Sequence, residues 1–247
     1  MNRALYLAIA ITAFSMSIIV LAPASIITGL AGDDLQQNIP GLKVGKAQGR
    51  IWQGSTQVQY RQFPPVAVSW DMAALPLLMG KVHAMIKLNG EGLQLELNAI
   101  VSSSGGSLDN ITGTIESRFV NAISVEYGLD LTGVFTLSGI HASFNQRWLT
   151  ALTGETNWSG GIVHIETPEQ FHSVKLPALT GILSMEGSDA KLNVASGTSD
   201  LLTLSLKPDG WSQTSVSYTL MDMAGLPLPN GYQDTNGPAF LLEEKVF

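Results

Sequence analysis

Apolar and polar residues alternate with a period of two through most of the chain, and this pattern predicts β-strands. Between Lys81 and Leu88, apolar side chains fill every even position and polar side chains fill most odd positions. Similar runs cover residues 57–61, 66–70, 93–98, 123–131, 202–206 and 216–220. Because successive side chains of a strand point to opposite faces, each run has one apolar and one polar face. The sequence therefore predicts an all-β domain in which one face of the sheet is buried.

Turn-forming residues separate these runs, and helical periodicity is scarce. The turns are marked by Asn89-Gly90, Gly105-Gly106, Gly160-Gly161 and Asp209-Gly210. We expect an antiparallel, glycine-punctuated fold, either a sandwich or an open, groove-like curved sheet. Short helices are predicted only over Met72–Met79 and Asn145–Leu152. Residues 225–247 are rich in proline and glycine, which predicts an extended tail along the surface.

The N-terminal segment has no charged side chain from Ala4 to Leu30, and residues 4–22 are long enough to cross a membrane as a helix. Arg3 precedes this segment and Asp33 follows it, so the positive-inside rule places the N-terminus in the cytoplasm. We expect residues 1–30 to form a cytoplasmic stub, a transmembrane helix and a juxtamembrane segment, and residues 31–247 to form the exported all-β domain. The predicted membrane anchor comprises Ala4, Leu5, Leu7, Ile9, Ile11, Phe14, Ile18, Ile19, Val20 and Leu21.

A cleaved signal peptide is the alternative interpretation of this segment. Ala22-Pro23-Ala24 resembles a small-residue cleavage site. The apolar stretch is longer than the usual signal-peptide core, and Pro23 lies within the site, so an uncleaved anchor is the preferred interpretation. Both interpretations export the remainder of the chain.

The composition excludes several classes of protein. The chain has 247 residues, of which 13% are charged and 45% are hydrophobic, and its net charge is −7. The 13 basic residues are scattered singly, whereas nucleic-acid binding needs clustered Lys and Arg. Disorder requires more charge and less hydrophobicity than this. Cysteine is absent, so disulfides and thiolate chemistry are excluded.

Motifs for catalysis or metal binding are almost entirely missing. The four histidines lack metal-binding spacing, although His164 and Glu166 share a strand face and supply two of the ligands that a metal would need. Ser188 and Lys191 match an S-x-x-K pattern, but its partner motifs are absent and the context is a turn between strands. We therefore expect no enzyme activity, no catalytic or metal residues and no cofactor.

The five tryptophans are spread along the chain, and three of them are candidates for structural or interaction roles. Trp52 lies between Gly49 and Gly54, where a large ring can pack over bare backbone. Trp70 has the apolar parity of its strand, which favours a buried position. The candidate residues are Gly49, Trp52, Gly54, Trp70 and Trp158.

The order of these features resembles a known family. The apolar N-terminal helix is followed by Gly49-Arg50-Ile51-Trp52-Gln53-Gly54, then by Val68-Ser69-Trp70-Asp71 and by Leu75-Pro76-Leu77-Leu78-Met79-Gly80. This arrangement looks like protein N of the bacterial type II secretion system, also called general secretion pathway protein N. The resemblance implies an accessory, non-enzymatic component of the machinery that exports folded proteins across the outer membrane. It also implies a single-pass inner-membrane protein with its bulk in the periplasm, whose partners are other secretion components.

Two modes of action remain open at the level of sequence. The polar strand positions carry Ser, Thr, Gln and Asn more often than Lys or Glu, and such faces can be buried against a protein at a lower desolvation cost. The first mode is therefore docking of secretion components on the sheet. The alternative is an anchored lipid-binding or lipid-transfer protein, in which the apolar face lines an open groove.

Overall fold

The part of the chain that the structure describes forms two antiparallel β-sheets, with short helices at Ser117–Ser124 and Tyr218–Met223. A computed structural model describes residues 22–26, 29, 36–37, 39–73, 76, 80–166, 171–226 and 238–246. The elements, in chain order, are β1 (Leu42–Val44), β2 (Gln48–Gly49), β3 (Gln53–Tyr60), β4 (Val66–Ala73), β5 (Lys81–Gly90), β6 (Leu93–Ser102), β7 (Gly105–Glu116), α1 (Ser117–Ser124), β8 (Leu129–Leu131), β9 (Val134–Asn145), β10 (Leu149–Trp158), β11 (Gly161–Glu166), β12 (Phe171–Leu176), β13 (Leu179–Glu186), β14 (Asp189–Ser196), β15 (Ser199–Leu206), β16 (Trp211–Val216), α2 (Tyr218–Met223) and β17 (Phe240–Lys245).

The larger sheet has 14 strands within the described residues. Its order is β1-β3-β4-β5-β6-β7-β9-β10-β13-β14-β15-β16-β17, and β2 pairs with β3. Neighbouring strands are mostly consecutive in the chain, so the sheet is an antiparallel meander built from hairpins. The predicted all-β, antiparallel fold class is confirmed.

Strand register sorts the side chains of the larger sheet onto an apolar and a polar face. On one face, Val68, Leu88 and Leu95 are aligned across three strands, and Leu183, Leu192 and Leu204 are aligned across three others. These six side chains are half-buried. The alternate positions lie on the opposite face, which carries mainly neutral polar side chains. The alternation in the sequence thus corresponds to two chemically distinct faces.

The second sheet has the order β12-β11-β8 and forms the main core with the middle of the larger sheet. Its Val163 and Leu176 pack with Trp158 of β10 in one buried cluster. Half-buried residues from both sheets and from α2 complete this cluster: Leu131, Phe135, Ile165, Val174, Leu179, Leu220 and Met223. The second sheet thus packs against part of the larger sheet through this cluster.

The strand predicted at Ile123–Leu131 is wrong over most of its length. Residues up to Ser124 belong to α1, Val125–Tyr127 form a 3₁₀ turn, and only Leu129–Leu131 form a strand. Phe119, Val120 and Ile123 lie on one side of α1, where helical geometry brings positions three and four apart together. The helical spacing of these apolar residues therefore decides the local structure, and the short period-two alternation that follows them does not.

The helix predicted over Asn145–Leu152 is also wrong, because Asn145 ends β9, residues 146–148 form the tight connection, and Leu149–Leu152 belong to β10. The Asn145 side-chain oxygen accepts hydrogen bonds from the backbone N–H of Arg147 at 2.7 Å and of Trp148 at 3.0 Å. A side chain that bonds the backbone in this way competes with helix formation and favours a turn.

Other predictions fall wholly or partly outside the described residues. The predicted membrane anchor, Ala4–Leu21, is one of these. Within the described part of the chain, no helix combines the length and the apolar character needed to span a membrane. In the predicted Met72–Met79 helix, Met72 and Ala73 belong to β4 and Pro76 is helical, while the others are not described. In the predicted tail, Phe240–Lys245 form an edge strand of the larger sheet.

Candidate functional site: the Gly49–Gly54 turn and the polar face

The candidate site begins with a tight turn between β2 and β3. The Arg50 N–H donates to the Gln53 carbonyl at 2.9 Å, and the Gln53 N–H donates to the Arg50 carbonyl at 3.2 Å. Gly49 has a φ of +88°, which strains residues with a side chain, and a methyl group there would lie 2.6 Å from the Gln53 carbonyl oxygen. Glycine is therefore required at the start of this turn.

Trp70 packs across the turn through its position opposite Gly54 in the β3–β4 register. A methyl group on Gly54 would lie 2.7 Å from Cζ2 of Trp70, so the indole ring rests directly on the glycine backbone. The indole N–H also donates to the Ile51 carbonyl at 2.8 Å. Trp52 contributes its carbonyl oxygen, which accepts the Met72 N–H at 2.6 Å. Gly49, Trp52, Gly54 and Trp70 thus form one local unit, which we call the tryptophan turn.

The chain that follows the predicted membrane helix is bound to the tryptophan turn. The Ile51 N–H donates to the Ala22 carbonyl at 2.9 Å, and the Ala24 N–H donates to the Gly49 carbonyl at 3.0 Å. Pro23 forms a β-bridge with Arg50, and Ala24 is 0% exposed. The turn therefore holds the N-terminal segment against the larger sheet at a fixed position.

Trp158, the fifth candidate residue, lies apart from the turn in the core between the two sheets. It is 5% exposed, and its ring stacks on Phe135 with a centroid separation of 6.1 Å. Its indole N–H donates to the Thr132 carbonyl at 3.0 Å. The candidate residues thus occupy two separate places in the fold.

The polar face of the larger sheet is broad and carries mostly uncharged polar side chains, with a few carboxylates such as Asp71 and Glu155. Lys87 pairs with Glu96 on the adjacent strand, and Lys191 pairs with Glu186. Exposed apolar side chains also lie on this face, namely Met85, Ile182 and Leu241. Its neutral polar members include Ser69, Gln94, Thr112, Thr136, Asn157, Asn193, Thr203 and Gln213. Such a surface can be desolvated with little loss of charge solvation.

Two cavities open along the apolar side chains. One, of about 390 Å³, is lined chiefly by Leu152, Leu183, Leu192 and Leu204. Another, of about 460 Å³, lies beside α1 and is lined by Phe63, Ile115, Phe119, Val120, Ile123, Ser124 and Leu129. Phe63 and Phe119 contact each other there, with ring centroids 5.1 Å apart.

The structure also shows where the residues lie that partly match metal-binding or catalytic patterns in the sequence. Within the described residues, no group of three or more His, Asp or Glu side chains could hold a metal, and His164 stacks on Phe171 with ring centroids 5.3 Å apart. Ser188 lies in the turn before β14, and the Lys191 ammonium pairs with Glu186. The S-x-x-K match is therefore a turn followed by a strand.

Sequence reasoning missed a Ser–His–Asp arrangement on the polar face. Nδ1 of His141 contacts Asp109, and Nε2 lies 3.0 Å from the Ser143 hydroxyl. His141 and Ser143 are two residues apart on one strand, a spacing visible in the sequence, but Asp109 reaches them through a bulge in β7. Both His141 and Asp109 are more than one-third exposed on an open sheet, so this group lacks the enclosed, polarised site of a hydrolase.

Ionisation of the Asp109 carboxyl is expected to make the stability of the fold depend on pH. A hydrogen bond from the Ser107 hydroxyl lowers the pKa of Asp109 below its ordinary 3.8, partial burial opposes this, and His141 lowers it further by hydrogen bonding and charge. The ionised carboxylate therefore stabilises the fold above about pH 3.8, and this contribution disappears as the pH falls through the lower folded-state pKa.

Replacing Ser107 with alanine is expected to raise the pKa of Asp109 towards its ordinary value. Carboxyl ¹³C chemical shifts followed through an acid titration measure this directly. Ser69→Ala is the control, because the Ser69 hydroxyl bonds the Lys87 carbonyl instead. An unchanged Asp109 pKa in Ser107→Ala contradicts the assignment.

Comparison with known proteins gives one match. The family model for type II secretion system (T2SS), protein N, matches residues 40–227, about three quarters of the chain. This range includes the tryptophan turn and nearly all of the larger sheet. No curated protein and no solved structure matches the chain.

Proposed function

The chain belongs to the type II secretion system protein N family, and we propose that it serves this system as a non-enzymatic docking component. Membership of the family indicates a role in type II secretion. The proposed role is that of a single-pass inner-membrane protein whose periplasmic β domain binds other secretion components.

The observation that carries this proposal is the polar face of the larger sheet. It is wide, its lysines at positions 87 and 191 are paired, and it displays isolated apolar side chains among mostly uncharged polar ones, with Asp71 opposite Met85 and Glu155 opposite Ile182. Protein interfaces combine these properties, because apolar anchors contribute most of the affinity and uncharged surroundings are cheaper to desolvate.

Anchoring is the second part of the proposal. The proposed membrane anchor is the apolar segment that begins at Ala4 and ends just before the part of the chain held by the tryptophan turn. The support is the pair of hydrogen bonds that joins Ala22 and Ala24 to the turn. A β domain attached in this way is held at a set position close to the membrane surface.

A secretion assay tests the proposed role. In a strain from which the gene is deleted, exported proteins are expected to accumulate in the periplasm, and the full chain supplied on a plasmid is expected to restore their release. Unchanged secretion in the deletion strain would count against the proposal. Fractionation with N-terminal sequencing tests the topology, since an intact N-terminus in the inner membrane is expected and a mature chain starting after Ala24 contradicts it.

Replacing Ile182 with aspartate is expected to reduce secretion several-fold without unfolding the protein. Ile182 is 46% exposed on the polar face, so the change removes an apolar anchor and adds a charge that an interface must desolvate. Ile162→Asp is the matched control, because Ile162 is 42% exposed on the second sheet. Equal secretion by the two variants, at equal thermal stability, would argue against docking on this face.

Lipid binding is the second candidate function, and the two apolar cavities favour it. The cavity of about 390 Å³ is lined by leucines of four strands, which suits an acyl chain. Mass spectrometry of the purified protein tests this candidate. Copurified lipid, lost when Leu192 is replaced by glutamate, supports it, and a lipid-free protein opposes it.

A further inference from the structure

The two edges of the larger sheet are built differently. At one end, β1 spans only three residues and β2 only two, and Lys43 lies within β1. At the other end, β17 spans six residues and all six pair with β16 in unbroken register. Natural sheets protect their edges with short strands, lysine, proline or bulges. The first edge has such protection along its whole length, whereas in β17 the charged residues Glu243, Glu244 and Lys245 occupy only the second half and Phe240–Leu242 are apolar.

The outer side of β17 presents free backbone groups. The Val246 N–H donates to the Gly210 carbonyl at 2.8 Å. This hydrogen bond shows which residues of β17 direct their backbone groups towards β16 and which direct them away from it. Because this direction alternates along an antiparallel pair, Phe240, Leu242 and Glu244 bond β16, while Leu241 and Glu243 direct their N–H and C=O groups outwards. No strand within the described residues pairs with this side.

Apolar side chains reappear on this face at the edge, beyond the polar Ser212 and Thr214 of β16. Leu204 lies opposite Thr214, and Thr214 lies opposite Leu242. Phe240 occupies the corresponding position beyond Val216. Phe240 and Leu242 are 52% and 48% exposed, although they belong to the face that is half-buried elsewhere. One further strand would cover both side chains.

We propose that β17 accepts an extended segment of another protein as an additional strand. This inference rests on the proposed docking function and adds a second contact site, at the edge of the sheet, together with the kind of partner that it binds. The segment carries apolar side chains opposite Phe240 and Leu242, and a lysine or arginine beside Glu243 and Glu244. Backbone hydrogen bonds provide the affinity in this mode of recognition, and alternate side chains provide the specificity.

Charge argues for a different protein over a second copy of this chain. Antiparallel pairing of two β17 strands that joins the outward groups of both Glu243 residues would set these like charges directly opposite each other. The pairing that joins Glu243 to Leu241 would instead place both glutamates against apolar side chains, with Glu244 opposite Phe240. A basic segment meets the same carboxylates with opposite charge.

The site lies far from the membrane attachment. From β3, which carries the tryptophan turn, to β17 there are 11 strand steps. At about 4.8 Å per step, this is about 50 Å along the sheet. The attachment and the partner site therefore use opposite ends of one continuous structure.

Photo-crosslinking in intact cells tests the proposal, with a photoreactive residue at Leu242 of the full-length chain. We expect an adduct that maps, by mass spectrometry of the linked peptide, to an extended, lysine- or arginine-containing segment of a secretion component. Glu243→Pro removes an outward N–H without removing a bond to β16, and it should reduce the adduct at least fivefold. Glu243→Gln is the matched control, which keeps the backbone N–H and should retain most of the adduct.

If Glu243→Pro fails to fold, as judged by circular dichroism, the double variant Glu243→Lys with Glu244→Lys replaces it as the test variant and should also reduce the adduct at least fivefold.

The following crosslinking results would overturn a proposal. Adducts from Ile182 but not from Leu242 would reject the β17 site while leaving the docking function in place. An adduct to a second copy of the chain would reject the proposed partner. Absence of both adducts, together with unchanged secretion on gene deletion, would reject the docking function itself.

Discussion

Replacing Trp158 with alanine is expected to lower the free energy of unfolding by about 4 kcal/mol, within the range found for buried tryptophan. The ring is 5% exposed and packs against Val163 and Leu176 of the second sheet. Its loss leaves a cavity at the place where the two sheets meet, and the Thr132 carbonyl loses its indole donor. Denaturant unfolding followed by circular dichroism measures the change.

Trp211→Ala is the control for this variant. Trp211 is 44% exposed on β16, so its removal should change the free energy of unfolding by no more than about 0.5 kcal/mol. Trp158→Phe should fall between wild type and Trp158→Ala, because it keeps an aromatic ring beside Phe135 and loses the N–H. Equal effects of Trp158→Ala and Trp211→Ala would contradict the position of the core.

Replacing Gly54 with alanine is the second large effect, with an expected loss of about 3 kcal/mol. The added methyl group would lie 2.7 Å from both the Gln48 carbonyl oxygen and Trp70, and 2.9 Å from the Arg50 carbonyl oxygen. Two of these atoms belong to the backbone of the turn, so the strain cannot be relieved by rotating a side chain. We expect Trp70 to leave Ile51, which releases the chain at Ala22–Ala24.

Gly187→Ala is the matched control. A methyl group on Gly187 has no neighbour within 4 Å, and its φ of +63° costs about 1 kcal/mol for alanine. Denaturant unfolding compares the stabilities, and limited proteolysis near Ala24 reports release of the N-terminal segment. Equal destabilisation by both substitutions, with no change in proteolysis, would show that the turn does not depend on a bare backbone at Gly54.

Much of the fold could be predicted because burial and strand geometry act on neighbouring positions. The run from Lys81 to Leu88 predicts a strand, and β5 covers it. The prediction fails where a local competitor decides the outcome. Asn145 bonds the backbone of its own turn, and the apolar spacing of Phe119 and Ile123 favours α1. Such competition depends on the hydrogen bonds and packing of a few side chains, and these contacts are not visible in the alternation of apolar and polar residues over longer segments.

The candidate site was only partly predictable, because its contacts depend on strand register. The sequence marks Gly54 and Trp70 as notable residues, but only the β3–β4 register shows that the ring lies on the glycine. The contact of Ala22 with Ile51 joins segments whose pairing leaves no periodic signal. Asp109 and His141 likewise meet through a bulge that shifts the pairing of β7 with β9.

We propose that the polar face of the β domain binds proteins of the secretion system. Photo-crosslinking from Ile182 on the full-length chain, in cells that are actively secreting, tests it most directly. We expect an adduct with another secretion component, and Ile162 on the second sheet should give at most a small fraction of it. Equal yields from both positions, or lipid as the only species captured at Ile182, would contradict the claim.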